Sequence, residues 1–494
     1  MKTLYILIFA FLQTSTVFAE SGWQFQTSGT NVYLRSVHFT SSLTGWVAGE
    51  SGTILKTTNG GNNWSAQSSG TALDLYSIHF PSSSTGYACG INGIILKTID
   101  GGNNWNIQTS GTTEYLNSIY FTSSSGGWAV GANGIILRTA NGGTNWNPQS
   151  SGTTEYLFST YFTSAAMGWA VGGSPFTKTI ILKTTNLGVT WFPQEGKAAG
   201  LLSVNFASAD TGCAVGTFGN VLYTTNAGTN WNDGGSQQHL SGLNSVHFFS
   251  GTTGWMTSSL GKIYKTTTSG WLWYIQEIDN INNLNDIYFT SSNTGWAVGS
   301  NGNILKTTNG GTSTFHFNLS VLPEGFYDTN SGVTIGDIIT VTPLFIAPYI
   351  PPTQPAQGFL DSTGHCTLTF YNADHSTPFY FKINHRNSIE TWSATWWKFS
   401  SFSFNYDFTT AASQAYGSNQ IFKGTRYCIY GGDVNQDGTV DLNDNQTINN
   451  DAYNFASGYI VTDLNGDNLA DVSDATIADN NAHNFISKIT PYGY

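Results

Sequence analysis

Charge is scarce in this chain. Only 9% of its 494 residues are Asp, Glu, Lys or Arg, with 17 basic residues against 29 acidic ones. A nucleic-acid-binding protein needs a basic stripe or domain to neutralise phosphates; none is present, so no nucleic acid is expected as a partner. Cysteine is limited to Cys89, Cys213, Cys366 and Cys428, with no CxxC spacing, which removes zinc-ribbon and thioredoxin-like chemistry. Long apolar runs are missing too. The run Leu4–Leu12 is well short of the roughly 20 residues a spanning helix needs, so no transmembrane segment is expected. It follows Lys2 and leads through a polar stretch to Val17-Phe18-Ala19, the pattern of a secretory signal peptide over residues 1–19. The mature protein is therefore expected to be secreted or held at a cell surface. In that oxidising setting Cys366 and Cys428 are candidates for pairing. Cys89 and Cys213 fall in repeat strands and read as small buried hydrophobes.

What the chain has is glycine, aromatics and a period. A Gly-Trp-Ala-Val-Gly motif, or a close variant, recurs with its aromatic at Trp46, Tyr87, Trp128, Trp169, Trp255 and Trp296, and Cys213 fills the same slot in the fifth copy. Each copy continues into an Ile-Leu-Lys-Thr strand, a Gly-rich turn and a Trp. The unit of about 41 residues holds four short strands; in the first they are Leu34–Phe39, Gly45–Gly49, Thr53–Thr57 and Trp64–Gln67. Such a unit buries both faces only by packing on its neighbours around an axis, which predicts a seven-bladed β-propeller over residues 20–315. The ends of the repeat agree with closure. The Trp strand begins early, at Trp23, and is missing from the seventh unit, so Trp23–Gln26 supplies the strand that removes a free edge.

The turn Thr57-Thr58-Asn59-Gly60-Gly61-Asn62-Asn63-Trp64 resembles the Asp-box of sialidase-type propellers, and Asp100 keeps the acid in the second copy. Together with the Gly-Trp-Ala-Val-Gly strand, residues 22–315 are most similar to the photosystem II assembly-factor-like propellers. Sialidases hold their substrate with three arginines, and this propeller has only Arg35 and Arg138, which excludes that activity. Glycoside hydrolysis otherwise needs a pair of carboxylates. Asp74, Glu114, Glu155, Asp210, Glu277 and Asp286 depart from the repeat or sit in turns, without forming a recognised motif. Two repeat-equivalent rings stand out. One is His38, His79, Tyr120, Tyr161, Asn205, His247 and Tyr288, read as packing about the axis rather than as a metal site. The other is Lys56, Lys97, Arg138, Lys183, Lys265 and Lys306, a basic ring whose stems cover apolar strand surface.

The period stops after Phe315. Residues 316–430 read as strands at Leu319–Leu322, Ile338–Thr342, Cys366–Tyr371, Pro378–Asn384, Phe402–Phe408 and Gln420–Tyr430, with a Pro-rich loop at Pro348–Pro355. That spacing suits an immunoglobulin-like β-sandwich. Trp392, Trp396 and Trp397 cluster there and are read as core or loop packing.

The tail, residues 431–494, carries ten aspartates and a single lysine, most of the chain's net charge of −12. Asp433, Asn435, Asp437, Asp441 and Asp444 stand at positions 1, 3, 5, 9 and 12 of a loop with Gly438 at 6, and Thr439 at 7 offers its carbonyl. Asp463, Asn465, Asp467, Asp471 and Asp474 repeat the set, with Asn468 at 6 and Leu469 at 7. This is EF-hand-type spacing for two Ca2+ ions, with short helices expected at Asn445–Asn454 and Ala475–Asn484. The pair resembles a type I dockerin, which implies a cohesin-like or other extracellular protein partner. Recognition residues would then be Leu442/Asn443 and Val472/Ser473.

The fold class expected is thus mainly β, a propeller plus a sandwich, with a small α-helical EF-hand-type module at the C-terminus. The function expected is a non-catalytic binding and scaffolding protein, its propeller taking a protein or glycan ligand. The alternatives are a glycoside hydrolase of polysaccharide catabolism and an assembly-factor-like chaperone.

Overall fold

The computed structural model describes residues 22–174, 178–196, 200–234, 242–276, 278, 281–345, 354–371, 378–398 and 403–491. The expected signal peptide, Glu277 and most of the Pro348–Pro355 loop lie outside the described residues. The chain divides into two compact units, joined between Thr312 and Ser313.

The first unit is built of seven four-stranded antiparallel sheets. In the first, Leu34–Phe39 pairs with Gly45–Gly49, then Ile54–Thr57, then Ser65–Gln67, with Trp46 opposite both His38 and Lys56. In the last, Leu284–Phe289, Gly295–Gly299 and Ile304–Thr307 take Gln24–Gln26 as their fourth strand, Gln24 lying opposite Lys306. The displaced N-terminal strand therefore completes the C-terminal sheet. The first strand of each sheet packs on the first strand of the next, and Leu284–Phe289 packs back on Leu34–Phe39. These are the arrangements of a β-propeller.

Adjacent sheets are held by one repeated device. The second-strand aromatic of one sheet stacks on the Phe that ends the first strand of the next: Trp46 on Phe80 at 3.6 Å, Trp128 on Phe162 at 3.7 Å, Trp255 on Phe289 at 3.5 Å. Trp296 stacks on Phe39 at 3.5 Å and so joins the last sheet to the first. Each buried ring is worth about 1.5–3 kcal/mol in burial alone. The fourth-strand Trp then meets the same Phe edge-on, as Trp64 does Phe39 at 5.9 Å.

The Gly-rich turns serve this packing. Thr57 Oγ1 accepts the Gly61 N–H at 2.8 Å, and Asn59 Oδ1 accepts the Asn63 N–H at 2.9 Å. The same bonds recur at Thr98, Thr139, Thr184 and Thr224. Four of the turns then present a carbonyl to the Trp of the preceding sheet, for example Trp46 Nε1 donating to Gly101 at 3.0 Å and Trp296 Nε1 to Gly60 at 3.2 Å. Gly61 has φ +90°, and a Cβ there would lie 2.9 Å from Trp296 Nε1, so both geometry and space require glycine.

The second unit contains a three-stranded sheet, with Thr314–Ser320 between His365–Tyr371 and Ser403–Asp407, the latter parallel. A four-stranded sheet of Ala356–Phe359, Ile338–Phe345, Phe379–His385 and Thr391–Trp392 accompanies it. Phe315, Phe317, Leu319, Val341, Phe381 and Ile383, drawn from both sheets, share one buried core. Gln420–Tyr430, expected as one strand, is a hairpin of Ile421–Lys423 and Arg426–Cys428, because Gly424 at φ +62° turns the chain. The tryptophans divide: Trp392 is buried, Trp397 borders the core, and Trp396 is exposed. All four cysteines are free thiols.

Two helices follow, α1 (Leu442–Tyr453) and α2 (Val472–His483). Both begin three residues before the expected starts, because Asp441 and Asp471 act as N-caps. Each accepts an N–H inside its first turn, and Asp444 or Asp474 returns the bond in a capping box. The tail packs on the sheets of the same unit. Asn387 Nδ2 donates to the Asp463 carbonyl at 2.8 Å, and Glu324 accepts from Asn481 Nδ2 at 2.7 Å and the Gly431 N–H at 3.1 Å. No helix among the described residues is long and apolar enough to cross a membrane.

Candidate functional sites

The propeller axis is lined by side chains of the first strands. His38 and His79 lie 4.6 Å apart, His79 and Tyr120 4.6 Å, Tyr120 and Tyr161 5.1 Å, His247 and Tyr288 4.7 Å, and Tyr288 and His38 4.8 Å. Asn205 interrupts the aromatic series, its Oδ1 taking the Phe248 N–H at 2.9 Å. Burial holds His79 and His247 at a pKa of about 4, and burial with the two neighbouring histidines holds His38 well below its ordinary value. The three rings are thus neutral at pH 7; His38 and His79 pack against each other, and His247 packs against Tyr288. Among the described residues no group of three or more His, Cys, Asp or Glu is arranged to hold a metal ion.

The basic ring is occupied by its own fold. Lys56, Lys97, Lys183, Lys265 and Lys306 each lie 5.4–6.0 Å over the aromatic ring beside them. Lys97 Nζ also donates to the Gly142 carbonyl at 2.6 Å and Lys265 Nζ to that of Gly310 at 3.1 Å. Burial lowers the pKa of Lys183, Lys265 and Lys306. Lys97 and Lys265 thereby tie a turn to the preceding sheet.

Of the acids that break the repeat, Asp286 is structural. It takes the place of a serine found in every other sheet; the hydroxyls of Ser36, Ser77, Ser118, Ser159 and Ser203 each accept a backbone N–H from the next sheet, as Ser36 does from Ile78 at 3.2 Å, while Ser245 donates to Asp286 itself. Asp286 accepts from Val37 N–H at 2.9 Å, Ser245 Oγ at 2.7 Å and its neighbour Ile287 N–H at 2.9 Å. Burial pushes its carboxyl above the ordinary value against the pull of those donors. Asp74 accepts the Ser51 N–H at 2.8 Å, Asp210 is exposed, and Glu114 borders a cleft of about 620 Å3.

The two acidic loops share most of their backbone-to-carboxylate hydrogen bonds. Asp433 accepts the N–H groups of Asp437 and Gly438, both at 3.1 Å; Asp463 accepts those of Asp467 and Asn468, both at 3.1 Å. Asn435 and Asn465 accept from residue 5 of their loops, at 2.8 and 2.9 Å. Asp437 accepts from Thr439 N–H and Asp467 from Leu469 N–H. Asp444 accepts from Val434, Asn435 and Asp441, and Asp474 from Leu464, Asn465 and Asp471. Position 6 is left-handed in both, Gly438 at φ +94° and Asn468 at φ +70°. Asp433, Asp444, Asp463 and Asp474 are all buried. The Asp433 pKa is pushed up to about 6, by burial first and then by Asp444, and burial raises those of Asp444 and Asp474. Carboxylates gathered out of water are costly without a cation. Side-chain oxygens are the donors that a hard ion such as Ca2+ takes.

An unexpected group adjoins the second loop. Asp337, buried, accepts from His385 Nε2 at 3.1 Å, Arg386 Nε at 2.7 Å and Tyr459 Oη at 2.7 Å. Burial pushes its carboxyl up, and these bonds outweigh it, holding it below the carboxylate range. Arg386 also approaches Asp463 Oδ2 at 3.7 Å and lies 4.6 Å over the Tyr459 ring. The group draws on three separated stretches, at Asp337, His385–Arg386 and Tyr459, so spacing offers no signal.

The fold and its repeat define a β-propeller class of protein. A family model described as Photosynthesis system II assembly factor YCF48 matches residues 15–106 and 64–152. A solved structure described as YCF48 bound to D1 peptide is 18% identical, covering 58% of this chain and 95% of that one with a TM-score of 0.51. YCF48 from Cyanidioschyzon merolae is 19% identical over 58% of this chain and 98% of that one, with a TM-score of 0.49. The RRP9 WD40 repeats are 9% identical over 59% and 98%, with a TM-score of 0.50. No curated protein matches.

Proposed function

We propose that the chain is an exported, non-catalytic binding protein. Its seven-bladed propeller docks a polypeptide, an immunoglobulin-like sandwich follows, and a dockerin-like tail carries two Ca2+ ions. The observation that carries the propeller reading is the self-occupied axis. The histidines pack as neutral rings, Lys97 and Lys265 hold turns, and Asp286 is bonded into the ring closure. The axial histidines and Asp286 are thereby engaged in the fold. The likeness to a propeller solved with a peptide bound supports a protein partner.

Export is proposed from the Lys2–Ala19 pattern. Calcium is proposed from the twice-repeated oxygen set and the buried carboxylates. A cohesin-like partner for the tail is proposed from the dockerin resemblance, with Leu442 and Val472 both exposed at position 10 of their loops. Phage-displayed peptide libraries panned on the full chain test the platform reading. Enriched sequences that bind in calorimetry at micromolar affinity are expected, and the absence of any peptide that binds on retesting would contradict it.

A further inference from the structure

One mouth of the propeller is asymmetric. The residue after the conserved Leu that opens the first strand is Asn117, Asn244 and Asn285 in the third, sixth and seventh sheets. Each of these donates across to a backbone carbonyl of the next sheet: Asn117 to Leu157 at 2.9 Å, Asn244 to Leu284 at 2.8 Å, Asn285 to Leu34 at 2.6 Å. The first, second and fourth sheets give up this bridge and carry Arg35, Tyr76 and Phe158 instead. The residue before the same Leu is Tyr33, Tyr115 or Tyr156 in the first, third and fourth sheets, and Gly200, Gly242 or Asn283 in the last three. Aromatic side chains thus gather on the first four sheets, and in the second and fourth a ring stands where a bridging asparagine stands in the third, sixth and seventh; the fifth has Leu202 there.

The arc already shows what it takes up. Arg35 lies 5.1 Å over Tyr33 and 5.8 Å over Tyr76 and pairs with Glu50, so in the first two sheets a guanidinium is held by tyrosine faces and a carboxylate. Tyr76 in turn meets Tyr115 at 6.5 Å, which continues the arc into the third sheet. There, and in the fourth, the identical sequence Gly-Thr-Thr-Glu-Tyr-Leu sets Glu114 beside Tyr115 and Glu155 beside Tyr156. The rings of Tyr115 and Tyr156 are 41% and 44% exposed. None of the ion pairs among the described residues uses Glu114 or Glu155. Glu114 borders the cleft of about 620 Å3 that runs to Thr153 and Thr154 of the following sheet.

We infer that this mouth is the docking surface of the propeller and that it takes an arginine-bearing polypeptide, whose guanidinium groups occupy the Glu114–Tyr115 and Glu155–Tyr156 positions as Arg35 occupies the first. The inference rests on the platform reading and gives it a face and a partner chemistry. Charge sets the choice: the two open positions are anionic and aromatic, a combination that suits a delocalised cation.

The test uses the full chain and two labelled decapeptides, alternating Arg-Gly and alternating Glu-Gly, followed by fluorescence anisotropy at about 0.15 M salt, near physiological screening. The Arg-Gly peptide is expected to bind, at least tenfold more weakly to Glu114→Gln/Glu155→Gln and to Tyr115→Leu/Tyr156→Leu, and unchanged with Lys56→Gln on the opposite mouth. It is also expected to protect Tyr115 and Tyr156 of the unmodified chain from nitration, a readout that needs no variant. No Arg-Gly binding, or binding indifferent to all four substitutions, overturns the inference. Binding of the Glu-Gly peptide that is lost with Lys56→Gln overturns it while leaving the platform reading in place. Failure of both peptides together with empty peptide libraries removes both. Protection of the two tyrosines by a neutral oligosaccharide, retained in Glu114→Gln/Glu155→Gln, assigns the mouth to glycan and also overturns the inference.

Discussion

Asp286 Oδ2 accepts the backbone N–H of Val37, 249 positions away in the chain, at 2.9 Å. In five of the other contacts between neighbouring first strands a serine hydroxyl makes the equivalent bond, at 3.2 Å each time. The carboxylate sits where the two ends of the repeat meet, and it also receives Ser245 Oγ.

Asp286→Ala is therefore expected to destabilise the propeller. It leaves the Val37 N–H buried and unpaired and removes the acceptor of Ser245, a loss of about 1–3 kcal/mol. Asp286→Ser, which restores the repeat's own solution, should recover most of that. Urea unfolding followed by tryptophan fluorescence compares the two; an alanine variant as stable as the unmodified chain would contradict the closure role.

Trp296 joins the last sheet to the first by stacking on Phe39 and by donating to Gly60. Trp296→Ala should cost about 3–5 kcal/mol, as large aromatic deletions in a packed core do. Cys213 fills the same slot with a small side chain, so Cys213→Ala should cost far less. Thermal unfolding of the two variants ranks them.

Acid should weaken the propeller in a defined window. His79 and His247 have folded pKa values of about 4, below the ordinary 6.5, so they are neutral in the fold where the unfolded chain takes up protons. Their contribution is complete above about pH 6.5 and is lost as pH falls toward 4, at most about 3 kcal/mol each. The midpoint of unfolding should fall between pH 6.5 and 4, and His79→Phe should flatten that slope. An unchanged slope in the variant would assign the acid sensitivity elsewhere.

Calcium should act on one unit only. A ligand at a thousand times its Kd adds about 4 kcal/mol to the state that binds it. Calorimetry of the full chain is expected to show a transition of residues 313–494 that rises with Ca2+ and falls with chelator, while the propeller transition stays fixed. Asp433→Asn/Asp463→Asn should abolish the response. A calcium-independent trace would leave the loops as capping structures alone.

Much of the propeller was legible because its physics is local and repeated. A 41-residue period, strand-forming residues between Gly-rich turns, and a Trp strand displaced to Trp23 are all visible along the chain, and Gln24–Gln26 indeed pairs with Ile304–Lys306. The role of Asp286 was not legible. As a residue that departs from the repeat it reads as a candidate catalytic acid, and only its partners, far away in sequence, show it to be a closure bond. The tyrosine arc was missed for the opposite reason: single tyrosines at strand starts look like ordinary variation until the bridging asparagines of the other sheets are seen. The helix starts at Leu442 and Val472 were displaced because Asp441 and Asp471 serve as caps as well as loop acids. The Asp337–Arg386–Tyr459 group required the fold itself, since nothing in the spacing of those residues brings them together.

The claim that the propeller binds rather than cleaves is tested most directly by incubating the full chain with a panel of plant and bacterial polysaccharides and assaying for new reducing ends. Glycoside hydrolysis needs two carboxylates about 5–9.5 Å apart across a bond. The account predicts no release from any substrate. Release of sugars, abolished by a single acid-to-amide substitution on one face of the propeller, would contradict it and make the protein a glycosidase.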